Sequence, residues 1–157
     1  MPGFEALYKQ TVTVFNRKIV GEKTYWYAVV IPNVHLIVDR SIIISTYGEQ
    51  AQDNAKLHIR YTPNGDGAII AVSGGTRSYM QPKAFKASGV GGENITFAFG
   101  DDFDFIMEGV WSGDMVVDDD TYTKGFFNYM NRAYDNVFAI TNVSKFNLIP
   151  HFEIVAR

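Results

Sequence analysis

One group of acidic residues, Asp101, Asp102, Asp104 and Glu108, has the right chemistry for a hard cation or for a general acid and base. Its spacing does not suit a calcium loop. Counting from Asp102 as first ligand puts Ile106 at the fifth position, Met107 where glycine is needed and Gly113 where a bidentate acid is needed. Alternation with Phe103, Phe105 and Met107 instead places Asp102, Asp104 and Glu108 on the solvent side of a strand. His35, His58 and His151 fall on three separate predicted strands, without H-x-H or H-E-x-x-H spacing, and read as ordinary strand residues. Ser73 lacks the first glycine of a nucleophile elbow, and no strand-to-helix turn follows it. Gly89, Gly91 and Gly92 are not followed by the Lys-Ser or Lys-Thr pair and helix of a phosphate loop. The expectation is a protein without catalytic, cofactor-binding or metal-binding residues, and not an enzyme.

The elements that carry these residues are mostly strands. Thr11 to Arg17 and Thr24 to Ile31 form a predicted hairpin around Gly21 and Glu22. In the second run Tyr25, Tyr27 and Val29 alternate with Trp26, Ala28 and Val30, so both faces should be covered. Pro32 and Asn33 break it before a short run from Val34 to Val38. Lys56 to Tyr61 should be half-buried, with Leu57, Ile59 and Tyr61 inward and Lys56, His58 and Arg60 outward. Asn64-Gly65 and Asp66-Gly67 signal a turn, after which Ile69 to Val72 returns. Residues 73–92 hold five glycines and read as a long surface loop, in which Pro82 opens one helical turn. Ile95 to Phe99, Phe103 to Met107, Val137 to Val143 and Leu148 to Val155 complete the strands, with Pro150 at an edge or strand start.

Over residues 121–134 the period changes to that of a helix. Tyr122, Phe126, Phe127, Tyr129, Met130, Ala133 and Tyr134 occupy an arc of roughly 160°. Asp118, Asp119 and Asp120 suit its N-terminal end, Arg132 its C-terminal end, and Gly125 weakens it by about 1 kcal/mol. The arc is wider than one groove needs, which makes Phe127, Met130 and Tyr134 candidate interface residues. The expected fold is a mainly β domain spanning residues 1–157, a small antiparallel barrel or sandwich with one packed amphipathic helix.

Composition narrows the function classes. At 157 residues the chain can bury one real core. Its 46% hydrophobic and 20% charged residues exclude a disordered polymer. Aromatic residues make up 15% of the chain, enough to supply contact surfaces as well as a core. The absence of Cys excludes disulfides and thiolate zinc sites and favours a reducing compartment, where the sequons at Asn94 and Asn142 would go unused. Met1 to Phe15 has no secretory pattern, and no apolar run approaches the roughly 20 residues of a membrane span. A net charge of −3 without a basic run argues against tight nucleic-acid binding.

Four segments, TVTVFNRK (Thr11 to Lys18), AKLHIRYTP (Ala55 to Pro63), GDDFDFIMEG (Gly100 to Gly109) and the stretch from Asp118 to Arg157, carry a family resemblance. Together they resemble small structural proteins of tailed phages, the minor capsid, neck or head-closure proteins. The resemblance implies a head-to-tail connector component, the closure or stopper ring beneath portal and adaptor, built from about six copies of a small barrel. It implies as partners other copies of the chain, portal or adaptor proteins, and a tail terminator or tail tube. It also implies a place in the virion neck after synthesis in the bacterial cytoplasm. Tail completion, portal adaptor, and a carbohydrate-binding or hydrolytic virion module remain as alternatives.

Overall fold

The computed structural model describes residues 7–39, 54–89 and 93–157 and is mainly β, as expected. Its centre is a closed barrel of six antiparallel strands. They are β1 (Gln10–Val20), β2 (Lys23–Asp39), β3 (Asn54–Arg60), β8 (Phe105–Glu108), β10 (Val137–Phe146) and β11 (His151–Ala156). The order around the wall is β1, β8, β10, β11, β3, β2 and back to β1.

Closure depends on one bend. β2 was expected to stop at Pro32 and Asn33, but it continues as a single strand of 17 residues. Asn33 takes a left-handed φ of 57°, and β2 changes partner there, from β1 up to Val34 to β3 from His35. A bulge between Gln10 and Val12 accompanies the change, the usual device for turning a barrel corner. The break signal was real, and the fold uses it to bend the strand.

Two cores follow from strands whose faces are both apolar. The interior holds Val12, Val14, Ile31, Leu57, Ile106, Phe138, Phe152 and Ile154 among others. The outer face of β1, β2, β8 and β10 carries a second cluster of Phe15, Trp26, Phe105, Met107 and Val137, covered by α2 (Phe126–Ala133) through Phe126 and Met130. Strand β9 (Val116–Asp118) extends the wall beside β2.

The helix is shorter than the expected span of 121–134. Asp119–Thr121 form a 3-10 turn, whose Asp118 Oδ1 accepts from the Asp120 amide at 3.0 Å. Gly125 then takes φ 90°, a conformation costly for any other residue, and α2 begins after it. Asp119 still caps the helix across the intervening loop. Its Oδ1 accepts from the Phe126 amide at 2.9 Å and from Trp26 Nε1 at 2.8 Å.

Residues 90–92 lie outside the described residues, but residues 73–89 differ from the expected long loop. They contain β6 (Gly75–Tyr79) and a six-residue helix, α1 (Pro82–Ala87), opened by Pro82 as expected. β6 belongs to a small second sheet with β4 (Thr62–Asn64), β5 (Gly67–Val72) and β7 (Asn94–Ile95). Ala68, Ile70, Ile95 and Phe97 of this region join the interior cluster. The Asn64 to Gly67 turn stands as read, with Gly65 at φ 61°. Of the run Ile95 to Phe99 only Ile95 lies in a strand, β7, although Phe97 and Ala98 are buried.

Candidate functional site

Cross-strand register brings the three histidines together. On the outer face of the barrel His35 of β2 pairs with His58 of β3, and His58 pairs with Glu153 of β11. His151 lies two residues before Glu153 and so shares its face. The rings form a ladder: His35 stacks on His58 with centroids 5.7 Å apart, and His58 lies 5.8 Å from His151. The ladder is flanked by Tyr8, 6.2 Å from His35, and by Phe146, stacked on His151 at 4.8 Å. Sequence spacing gave no sign of this, because the contacts depend on the register of β2, β3 and β11.

All three ladder histidines and Glu153 are half-buried. One ligand atom each from His58, His151 and Glu153 lies within 4.8 Å of the others, a set able to hold a metal ion. Burial lowers the pKa of His58, Glu153 pulls it back up in part, and His151, His35 and Lys56 lower it further. The fold therefore favours the neutral imidazole at this position.

A second polar cluster is buried at the end of β1. Asp104, expected on the solvent side, is wholly buried. Phe103 and Phe105 do point away from it, but they point to the outer core under α2, so the opposite face is the barrel interior. Its carboxylate accepts from four donors. Oδ1 takes the Arg17 amide at 2.8 Å and Lys86 Nζ at 2.7 Å, and Oδ2 takes Asn16 Nδ2 at 3.0 Å and the Ala98 amide at 2.9 Å. Burial raises the Asp104 pKa, against the pull of Lys86 and of the Arg17 and Ala98 amides. Asp102 and Glu108 are exposed as expected, and Asp102 pairs with Arg17 at 2.9 Å.

Two lysines fasten α1 over this cluster. Lys86 also donates to the Arg17 carbonyl, while Lys18 of β1 donates to Ser88 Oγ at 3.0 Å and the Gly89 carbonyl at 2.7 Å. Burial, and next the charge of Lys86, lowers the Lys18 pKa. A cleft of 760 Å³ opens beside α1, between Pro82, Lys83 and Lys86 on one side and Phe99 and Asp102 on the other. The lone pairs of Asp104 are committed to donors, so the cluster is built to hold α1 on the barrel.

The three helix residues singled out from the sequence separate by burial. Met130 is wholly buried against the barrel, so its surface is used within the chain. Phe127 is half-buried, its ring 5.0 Å from those of both Phe103 and Phe105. Tyr134 is exposed. A more exposed apolar group, missed in the sequence, sits between β10 and β11. Leu148 is 98% exposed there, flanked by Phe146 and Ile149, which are exposed too. The tip is held by Tyr61, whose Oη lies 2.9 Å from the Phe146 carbonyl and 2.6 Å from Asn147 Oδ1.

Fold and surface together define a small closed β-barrel with an outer helix-covered core, a histidine ladder on one wall and an apolar hairpin tip. The chain belongs to the family of unknown function DUF6751, whose model it matches over residues 7–157. No curated protein and no solved structure gives a significant match.

Proposed function

We propose that this chain is a structural subunit of a tailed-phage head-to-tail connector, the head-closure ring that seals the filled capsid and receives the tail. The observation that carries the reading is the β10–β11 tip. A solvent-facing Leu148 flanked by Phe146 and Ile149, on a loop fixed by the Tyr61 hydroxyl, is costly to leave in water and well suited to bury in a neighbouring subunit. Ile19 and Val20 at the β1–β2 turn add a second exposed apolar end. The resemblance of the four segments to neck proteins supplies the kind of assembly, a homo-oligomeric ring of about six copies. The net charge of −3 suits a channel wall, since a basic lumen would hold the passing genome by phosphate contacts.

Electron microscopy of lysates from a phage lacking the gene tests the reading. Packaging precedes closure, so heads should fill, then leak, and accumulate as tailless particles beside complete free tails. Purified protein should restore joining only to heads that still hold DNA. Stable full heads with defective or overlong tails would indicate tail completion instead. Whole particles with an adsorption defect would indicate a carbohydrate-binding or hydrolytic module, and either result overturns the closure assignment.

A further inference from the structure

The outer wall of the barrel holds a second feature that the connector reading does not use. We infer that His58, His151 and Glu153 form a binding site for a divalent transition cation of the zinc type, bridging β3 and β11. Two imidazoles and one carboxylate are a common donor set for zinc, leaving a fourth position for water. The three side chains come from strands whose backbone pairing fixes them on one face, with Glu153 directly opposite His58.

Both rings are oriented before any metal arrives. His151 Nδ1 lies 2.7 Å from the Ile149 carbonyl. A carbonyl only accepts, so Nδ1 carries the proton and Nε2 is left with its lone pair free. This is the outer-sphere arrangement that fixes the tautomer of metal-bound histidines. Phe146 stacks on the same ring at an interplanar angle of 11°, and His35 stacks on His58 at 23°. His35 thus acts as a positioning residue for His58.

The remaining adjustment is small. Ligand atoms in a tetrahedral zinc site with bonds of about 2.0–2.1 Å sit about 3.3 Å apart. The present spread of up to 4.8 Å closes by about 1.5 Å, within the reach of side-chain rotation for half-exposed residues. Lys56 and Arg60 share this face of β3 and oppose a cation electrostatically. Lys56 is exposed, and Arg60 is drawn over the Tyr8 ring, 4.5 Å from its centroid.

The test uses the full chain, stripped with chelator and titrated with Zn²⁺ by calorimetry and with Co²⁺ by visible absorption. One ion per chain is expected, with the intense visible bands of low-coordinate Co²⁺. His58→Gln and Glu153→Gln should each weaken binding by more than the roughly 10–100-fold that loss of an outer-sphere partner costs, while His35→Gln should lose less and keep one ion per chain. Circular dichroism identifies any variant that fails to fold, and His151→Gln then replaces it as the ligand variant. No saturable binding, or binding unchanged by the ligand variants, overturns the site.

Discussion

At the residue scale Asp104 ties together β1, α1 and the segment before β8. Its four donors include Lys86, so Asp104→Ala leaves an ammonium partly buried without its counter-charge. The expected loss is about 3–5 kcal/mol in a denaturant melt. Combining it with Lys86→Met should recover part of that loss, because the stranded charge goes with its partner. His58 carries a pH consequence in metal-free protein. Its folded pKa lies below the usual 6.5, so near and below that value the unfolded chain binds more protons than the native one. Its contribution to stability is fully present above about pH 6.5 and is lost as pH falls toward the folded pKa. Melts between about pH 7.5 and 5 should therefore show a steeper acid loss for the native chain than for His58→Gln. Neither role was legible in the sequence. The alternation around Asp104 was read correctly, but its opposite face was assigned to solvent when the outer core makes it the inside.

At the scale of elements, the start of α2 is set at a distance. Asp119 serves the Phe126 amide and the Trp26 indole with one oxygen, joining helix, 3-10 turn and barrel wall. Asp119→Ala removes the cap and leaves a buried indole N–H unpaired, at a cost of about 1–3 kcal/mol. Hydrogen exchange should show α2 losing protection before the barrel strands do. Helical periodicity identified Phe126 and Met130, both wholly buried, and the three aspartates marked the right end. Residues 121–125 joined the apparent helix because Tyr122 has the right spacing, while Gly125 ends that continuity with its positive φ. β6 escaped notice, and α1 was foreseen only as one turn at Pro82, for a different reason. GTRSY and PKAFKA contribute one wholly buried apolar side chain between them, Phe85, so periodicity had nothing to detect.

For the molecule as a whole, the strand alternation around Leu57, Ile59, Phe152 and Ile154 was enough to indicate a β-barrel or sandwich. Strand order was not legible, because it rests on long-range pairing. β11 stands between β10 and β3, and removing residues 151–157 would open the wall and bare two strand edges. The truncated chain is expected to lose its cooperative melt, bind a hydrophobic dye and aggregate, as calorimetry and size-exclusion chromatography would show. The same pairing has a temporal side. Leu57 waits for Ile154, its register partner 154 − 57 = 97 positions later. At about 5–20 residues per second, roughly 5–20 s of translation separate the two. During synthesis the N-terminal hairpin can form early, while β3 leaves the ribosome long before its β11 neighbour exists. In the cell the barrel is therefore completed by a late docking step, and nascent-chain chaperones have those seconds in which to shield the β3 edge.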